Sequence, residues 1–330
     1  MSDRFNAIVI EKADKGSTAA VSELGLDDLP AAGVLVDVEY STVNYKDGLA
    51  VTGAGKICRQ FPMVGGIDLA GVVAESDDPR WSEGDRVLVN GYGLSEDFWG
   101  GYSQKQRVNP DFLVKVPDNL SSQQAMAIGT AGYTSMLAVN AIRDGEITPE
   151  SGPIIVTGAA GGVGSVAVML LAKLGYEVTA TTGRPETGDY LKSLGAANIM
   201  DRADFARDAK PLEKEIWAGS VDSVGSTTLA TVLTQTKNRG VVAACGLAGG
   251  FDLPVSVMPF LLRGVRLQGI DSVLAPMSER TRAWQDLSGL LDLKMFEEVY
   301  SVEPLARVPE LAAQILKGQI RGRIVIDVNA

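Results

Sequence analysis

A glycine-rich segment, Thr157–Gly164 with the sequence TGAAGGVG, is the part of the chain best suited to hold phosphate groups. It joins an apolar strand pattern, Ile154–Thr157, to a helical pattern, Gly162–Leu174, in which apolar residues recur every three or four positions. Glycines allow a tight turn and a close backbone approach to a pyrophosphate, and a helix N-terminus adds unpaired N–H groups. Ala159 stands at the first glycine of the usual G-x-G-x-x-G pattern, but the strand-turn-helix context still predicts dinucleotide binding.

The residues after the next predicted strand, Val178–Thr181, bear on the choice between the two nicotinamide dinucleotides. A carboxylate there would bond the adenosine ribose hydroxyl of NAD, whereas this chain has Thr182, Gly183 and Arg184. Arg184 can pair bidentately with a 2′-phosphate, Thr182 can donate a hydrogen bond to it, and Arg202 is a second cationic candidate. The segment therefore predicts NADPH as the cofactor.

The absence of histidine restricts the chemistry that the protein can perform. It removes Ser-His-Asp and Cys-His nucleophilic catalysis and nearly every ordinary catalytic zinc site. The two cysteines, Cys58 and Cys245, lie far apart and suggest no disulfide framework. We expect the redox work to fall to a cofactor, assisted by side chains such as Tyr or Lys.

The elements that must position these residues alternate between strand and helix from residue 153 onward, which predicts an α/β fold with a doubly wound parallel sheet. The first 120 or so residues instead predict short strands and Gly-rich turns, as in the alternating segment Val34–Tyr40. The last predicted strand, Gly322–Val328, is expected to return to this first domain. We therefore expect one domain formed by residues 1–124 with 300–330, and a Rossmann domain over residues 125–299.

Composition sets the broad class of protein. A chain of 330 residues that is 45% hydrophobic can bury two cores. Its formal net charge of −11 argues against nucleic acids and anionic membrane surfaces as partners. The sequence predicts neither a signal peptide nor a transmembrane helix, so we expect a soluble cytoplasmic protein.

An open parallel sheet leaves an edge strand to pair, which favours a homodimer.

Several segments resemble those of the medium-chain dehydrogenases/reductases, in their quinone-oxidoreductase branch. Besides the glycine turn, these segments are Asn44–Asp47 (NYKD), Gly66–Gly71 (GIDLAG), Gly84–Val87 (GDRV), Trp99–Tyr102 (WGGY) and Gly129–Gly132 (GTAG). A more specific set is similar to the bacterial acryloyl-CoA reductase subgroup, whose members use NADPH: Glu213–Gly219, Ala244–Gly250 and Gly269–Val273. The resemblance spans nearly the whole chain and implies a GroES-like β-barrel domain, completed by the C-terminal strand, around a Rossmann domain.

The resemblance also implies that the enzyme has no zinc. Zinc-dependent members carry Gly-His-Glu where this chain has Gly66, Ile67 and Asp68, and the side chain of Ile67 cannot bind a metal. The four-cysteine structural zinc lobe of those members is missing as well. The resemblance and the histidine count therefore agree.

The cofactor contacts that the resemblance implies can be carried over position by position. Asn44 and Tyr45 would lie near the nicotinamide, and Gly161, Gly162, Val163 and Gly164 at the pyrophosphate. Thr182, Gly183, Arg184 and Arg202 would meet the 2′-phosphate. Leu247, Ser272 and Asn329 would line the rest of the channel, although Leu247 could equally be a core residue and the other two turn residues.

The implied activity is NADPH-dependent reduction of the C=C bond of acryloyl-CoA, a small-molecule acyl-CoA thioester, to propanoyl-CoA. This reaction adds a hydride at the β carbon and a proton at the α carbon, while charge develops on the carbonyl oxygen. Tyr45 is the first choice for proton donor or substrate-positioning group, with water as the alternative donor. Asn44, a backbone N–H or a ribose hydroxyl could stabilise the oxygen.

Two other functions stay open at this stage: a broader NADPH-dependent reductase of quinones, enals or enones, and a non-catalytic NADPH-binding sensor. Lys46 and Asp47 adjoin Tyr45, and a structural salt bridge explains each of them as well as a role in the active site does. Candidate contacts for the CoA phosphates are Lys56, Arg59, Arg263 and Arg266, which could equally be solvated surface charges.

Overall fold

The computed structural model describes residues 4–14, 16–31 and 33–330, which form two compact units. The first unit comprises the described residues up to Thr130 together with Ser272–Thr281 and Glu298–Ala330, and the second comprises Ala131–Asp271 and Arg282–Glu297. The prediction that residues 125–299 form one domain is therefore wrong for Ser272–Thr281. That segment belongs to the first unit, in which, for example, the Tyr92 N–H donates to the Val273 carbonyl at 3.0 Å.

The strands predicted at Val34–Tyr40, Ile154–Thr157, Val178–Thr181 and Gly322–Val328 are confirmed, with ends that differ by a few residues. The strands are β1 (Arg4–Lys12), β2 (Ser17–Gly25), β3 (Val34–Thr42), β4 (Met63–Val64), β5 (Asp68–Ser76), β6 (Arg86–Asn90), β7 (Lys105–Val108), β8 (Val114–Lys115), β9 (Ile154–Val156), β10 (Val178–Thr182), β11 (Asn198–Asp201), β12 (Trp217–Asp222), β13 (Thr236–Ala244), β14 (Arg266–Gly269), β15 (Tyr300–Pro304) and β16 (Arg323–Asp327).

The helices connect these strands. The α-helices are α1 (Tyr45–Thr52), α2 (Ser122–Asp144), α3 (Gly162–Lys173), α4 (Gly188–Ser193), α5 (Ser226–Gln235), α6 (Met258–Arg263), α7 (Met277–Leu290), α8 (Leu293–Phe296) and α9 (Val308–Leu316). Short 3-10 turns occur at Leu26–Asp28, Pro110–Phe112, Pro149–Ser151, Pro185–Thr187, Arg202–Asp204 and Leu305–Arg307.

The first unit is built from a three-stranded sheet in the order β2-β1-β4 and a larger sheet in the order β15-β16-β3-β5-β6-β8, with β7 also paired to β3. Inward-facing residues of both sheets, such as Ile10 of β1 and Val38 of β3, share one core with Leu311 of α9. Strand β16 pairs antiparallel with β3. The prediction that the C-terminal strand returns to the first domain is thus confirmed.

The second unit contains one sheet in the order β11-β10-β9-β12-β13-β14, with every neighbouring pair parallel. This order is that of a doubly wound dinucleotide-binding sheet, and it confirms the predicted Rossmann domain. Strand β12 ends at Asp222, because Asp222 Oδ1 accepts hydrogen bonds from the N–H groups of Val224 and Gly225 at 3.2 and 2.7 Å, which turn the chain.

Helix α2 is long and apolar enough to cross a membrane, but 89% of its most apolar window is buried within the protein. It is therefore better explained as a core helix. The helix is interrupted at Gly129, whose backbone is non-helical with φ of 51°. A Cβ there would lie 2.7 Å from Arg323 Nη2 and 2.8 Å from Thr42 Cγ2, so this position requires glycine.

Candidate cofactor and active site

The glycine turn of the second unit has the geometry that a dinucleotide phosphate requires. Gly158 has φ of 60°, and a Cβ on Gly164 would lie 2.4 Å from the Gly158 carbonyl oxygen, so helix α3 can approach the turn only with glycine at 164. Helix α3 starts at Gly162, and the N–H of Ser165 donates to the Gly161 carbonyl at 2.9 Å. The three N–H groups that precede Ser165 in the helix have no helical partner and can bind phosphate oxygens.

Two arginines lie at the ends of β10 and β11, beside this turn. Arg184 Nη2 is 3.4 Å from the Ala160 carbonyl, to which it donates. A Cβ on Gly183 would lie 2.3 Å from Arg202 Nε, so the side chain of Arg202 lies directly against the backbone at Gly183. Arg202 is exposed, and within the described ranges it forms no ion pair. Two guanidinium groups at the end of β10 fit a doubly charged phosphate.

The hydroxyl of Thr182 lies within the loop that follows β10. It accepts from the Arg184 N–H at 3.1 Å, lies 3.4 Å from the Arg184 carbonyl and is 3.0 Å from the hydroxyl of Thr187, which donates to that carbonyl at 2.7 Å. Thr182 therefore helps to organise the loop that carries Arg184. Its hydrogen bond to a 2′-phosphate stays a prediction.

Two fully buried carboxylates, Asp47 and Asp68, hold the side chain of Asn44 in the first unit. Asn44 Nδ2 donates to Asp47 Oδ2 at 3.1 Å and to Asp68 Oδ2 at 2.8 Å. Both amide hydrogens are thus in use on these carboxylates. The roles considered for Asn44, as a donor to the oxyanion and as a cofactor contact, stay predictions.

Asp68 lies at the centre of a larger buried network. Asn90 Nδ2 donates to its Oδ1 at 2.7 Å, and the Thr130 N–H donates to its Oδ2 at 3.0 Å. Asp47 Oδ1 in turn accepts from the Ile67 N–H at 2.9 Å. Ile67, which stands where zinc-dependent members of the resembled family carry a histidine, is thus held in place by a hydrogen bond to a buried carboxylate.

The buried guanidinium of Arg323 balances part of this negative charge. It donates to the carbonyls of Ala127 and Val43 at 3.0 and 3.1 Å and to Thr42 Oγ1 at 2.8 Å. Burial lowers the pKa of Arg323, and the negative charges of Asp68 and Asp47 oppose that effect. One guanidinium therefore faces two carboxylates, which leaves an excess of negative charge in the core.

This excess is reflected in the protonation of Asp47. Burial and the neighbouring charge of Asp68 raise the pKa of Asp47 from 3.8 to about 7, while hydrogen bonds from Asn44 and Ile67 oppose the rise. The two carboxylates therefore hold a proton at pH values where an exposed aspartate would have lost it.

Asp47→Asn tests this protonation through stability. A carboxyl whose pKa is raised by folding binds more protons folded than unfolded, so it reduces the free energy of unfolding as the pH rises from about 4 to 7. We expect the wild type to lose up to about 1.4 kcal/mol per pH unit relative to Asp47→Asn in this window. Urea unfolding of both proteins at several pH values measures the difference. Parallel curves would contradict the raised pKa.

The two residues after Asn44 differ in their surroundings. Tyr45, the first residue of α1, is 44% exposed, and no hydrogen bond to its hydroxyl occurs within the described part of the chain. Lys46 forms an ion pair with Glu96, which confirms a structural salt bridge for this lysine. Tyr45 is thus the residue of this motif whose polar group is free to meet a ligand.

The remaining predicted cofactor residues occupy the ends of elements in both units. Leu247 follows β13 and is 61% exposed, so the interpretation of Leu247 as a core residue is wrong. The carbonyl of Ser272 accepts from Arg280 Nη2 at 3.0 Å in the first unit. Asn329 lies just after β16, where its Nδ2 donates to the Val38 carbonyl at 3.1 Å. The role of each as a cofactor contact stays a prediction.

Three of the four candidate contacts for the CoA phosphates already bind other groups of the protein. Arg263 donates to the carbonyls of Thr234 and Glu213, and Arg266 to that of Gly145. Arg59 pairs with Asp97 at 3.4 Å. Of these four cations, only Lys56 lacks a hydrogen bond or ion pair among the residues that the structure describes.

Sequence reasoning missed most of the buried network. Asp68 and Asn90 stand at a strand start and a strand end, and Asp68 drew attention only as a neighbour of Ile67. Arg323 and Arg280 carry no signal in sequence, because an arginine is usually exposed and only the fold surrounds these two with carbonyl groups.

Comparison with known proteins defines the family. Residues 30–118 match the alcohol dehydrogenase GroES-like domain, and residues 162–289 match the zinc-binding dehydrogenase family. With the parallel sheet and glycine turn, these matches confirm the predicted pairing of a GroES-like domain and a Rossmann domain. The chain belongs to the medium-chain dehydrogenase/reductase family.

Individual relatives narrow this assignment. The acrylyl-CoA reductase AcuI of Ruegeria pomeroyi is 55% identical over 329 residues, covering 99% of this chain and 100% of the relative. The structure of Escherichia coli YhdH with bound NADPH has a TM-score of 0.96 and 50% identity, covering 98% of this chain and 100% of that chain. The putative quinone oxidoreductase YhfP of Bacillus subtilis, solved with NAD bound, has a TM-score of 0.96 and 42% identity, covering 99% of this chain and 100% of that chain.

Proposed function

We propose that this protein reduces the C=C bond of acryloyl-CoA to give propanoyl-CoA, with NADPH as hydride donor and without zinc. The observation that carries the proposal is the 55% identity, over nearly the full length of both chains, with an acrylyl-CoA reductase. The glycine turn and the two arginines beside it supply the matching cofactor site.

The residues of the second unit fit NADPH. The free N–H groups at the start of α3 suit the pyrophosphate, and the absence of a side chain at Gly164 lets the helix pack closely against the glycine turn. Arg184 and Arg202 suit the 2′-phosphate, which NADH lacks. When bound, NADPH supplies the hydride.

The zinc-free part of the proposal is supported by residue types. The whole chain lacks histidine, and the buried residue at the relevant position is Ile67. Within the described ranges, no three His, Cys, Asp or Glu side chains are grouped as a metal site would need. Activity that survives extensive treatment with a zinc chelator would support this part, and loss restored by added zinc would refute it.

The reaction is tested by steady-state NADPH oxidation with acryloyl-CoA, crotonyl-CoA and a simple quinone, measured side by side. We expect the largest kcat/KM with acryloyl-CoA. A larger value with the quinone would favour the broader reductase, which the likeness to the putative quinone oxidoreductase YhfP supports. No turnover with any acceptor, despite NADPH binding, would favour a non-catalytic sensor.

Tyr45→Phe tests the proton donor. The exposed hydroxyl of Tyr45 is the free polar group next to Asn44, and general acid catalysis contributes at least about 100-fold to a rate. We therefore expect kcat with acryloyl-CoA to fall by about 100-fold, with the Kd for NADPH little changed. Tyr300→Phe, which removes another hydroxyl from the first unit, is the matched control. Full kcat in Tyr45→Phe would exclude the proton-donor role.

We also propose that the protein is a cytoplasmic homodimer. Its two cysteines are free, as suits a reducing compartment. Strand β14 pairs only with β13, all four of its residues are exposed, and the preceding helix α6 exposes Leu261 (76%) and Leu262. A second copy could pair its own β14 edge across a two-fold axis and cover these leucines.

Leu261→Asp tests the dimer. Burying a carboxylate in place of an apolar side chain at both copies of the contact should weaken the dimer by at least about 100-fold. Sedimentation equilibrium should then give a dimer for the wild type and a monomer for Leu261→Asp at micromolar protein. Val21→Asp, an equally drastic change at an exposed position of β2, should remain dimeric. A dimeric Leu261→Asp would place the contact elsewhere.

A further inference from the structure

Arg280 of helix α7 is buried and donates to four main-chain carbonyl groups of the first unit. Its Nε donates to Ala275 at 3.0 Å, its Nη2 to Ser272 at 3.0 Å and Val273 at 2.6 Å, and its Nη1 to Asn90 at 2.6 Å. One side chain thus ties the segment that contains Ser272 to the end of β6.

The guanidinium also packs on an aromatic stack. Its central carbon lies 3.8 Å from the centre of the Tyr92 ring, and that ring stacks on Phe112 with centroids 4.6 Å apart. Tyr92 has φ of 52°, a left-handed conformation that a bulky residue keeps only where its neighbours hold it. Arg280 and Phe112 enclose the Tyr92 ring from two sides, and the Tyr92 N–H donates to the Val273 carbonyl.

Asn90 connects Arg280 to the carboxylates that hold Asn44. The Asn90 carbonyl accepts from Arg280, its Nδ2 donates to Asp68 Oδ1 at 2.7 Å, and Asp68 Oδ2 accepts from Asn44 Nδ2 at 2.8 Å. A continuous hydrogen-bonded path within the first unit therefore runs from Ser272 to Asn44.

We propose that Arg280 is a positioning residue for NADPH, which fixes the Ser272 segment in register with Asn44. The inference rests on the proposed function and on the predicted contacts of NADPH with Ser272 and Asn44. Arg280 is only 1% exposed, so it acts through the main chain and not by touching the ligand. A guanidinium suits this task because its planar fork of five N–H donors reaches several carbonyls at once, whereas a lysine ammonium carries its three donors on one atom.

Arg280→Lys tests this role by comparison with Arg86→Lys. Arg86 also lies in the first unit and donates to main-chain carbonyls, those of Leu120 at 2.6 Å and Asp118 at 3.4 Å, but it contacts neither Ser272 nor Asn90 in the described structure. NADPH binding is measured by fluorescence titration, alongside the melting temperature and steady-state kinetics. We expect Arg280→Lys to raise the Kd and KM for NADPH at least 10-fold, with kcat at saturating NADPH within 3-fold of wild type. Arg86→Lys should lower the melting temperature while keeping the wild-type Kd.

Equal and unchanged NADPH Kd values in the two variants would overturn the inference, because Arg280 would then be a structural residue alone. If Arg280→Lys does not fold, Arg280→Gln keeps a planar donor and should give the same rise in Kd; an unchanged Kd there would also overturn the inference. If the wild type does not bind NADPH, the proposed function itself is refuted. If the wild type binds NADPH and the substitutions at Arg280 leave that binding unchanged, only the inference about Arg280 is refuted.

Discussion

Replacing Arg184 and Arg202 together by alanine should raise the Kd for NADPH by about 100- to 10,000-fold and leave the Kd for NADH nearly unchanged. Each guanidinium is expected to make charge-assisted hydrogen bonds to the 2′-phosphate, worth about 1.5 to 3 kcal/mol per residue, and 1.4 kcal/mol corresponds to a factor of ten. Fluorescence titration with both dinucleotides measures the two constants.

The control for this prediction is Arg239→Ala, which removes an exposed arginine from β13 in the same unit. It should bind both dinucleotides as the wild type does, which separates the 2′-phosphate contact from a loss of positive charge in general. Equal weakening of NADPH and NADH in the Arg184 and Arg202 double variant would mean that these arginines do not recognise the 2′-phosphate.

Replacing Arg323 by methionine should lower the free energy of unfolding at pH 7 by about 3 to 5 kcal/mol. The substitution leaves two buried carboxylates without the nearby cation and removes the donors to the Ala127 and Val43 carbonyls. Protonation relieves that charge, so the loss should shrink at pH 5. Urea unfolding at the two pH values gives both numbers.

An exposed arginine provides the comparison for Arg323. Arg80 contacts Asp78 and Asp111 at 2.7 Å each, but it lies at the surface, where solvent screens an ion pair and leaves it little effect on stability. Arg80→Met should therefore cost much less than Arg323→Met. Equal losses in the two variants, or a loss at Arg323 that grows at pH 5, would contradict the account of the buried network.

The sequence was sufficient for the features that depend on local pattern. The strand-turn-helix around Thr157–Gly164 and the C-terminal strand on β3 were both predicted, because glycine spacing and apolar periodicity reflect the backbone directly. The likeness of the chain to NADPH-bound YhdH agrees with the cofactor predicted from Arg184 and its neighbours.

What the sequence did not predict depends on contacts between distant segments. The sequence did not indicate that Asn44 would donate to two buried carboxylates or that the Thr182 hydroxyl would lie against Thr187. Ser272–Thr281 was placed in the wrong domain because nothing local reveals that Arg280 donates to the Asn90 carbonyl at the end of β6. Hydrogen-bond saturation of a polar side chain is a property of the fold, and pattern alone cannot supply it.

The glycine turn and the two arginines beside it bind NADPH, which supplies the hydride, and every other part of the proposed reaction depends on this binding. Isothermal titration calorimetry of the wild type with NADPH and with NADH measures it. We expect one NADPH site per chain and an affinity for NADH at least about 100-fold lower. No heat of binding with NADPH, or equal affinity for the two dinucleotides, would show that the turn and the arginines do not form this site.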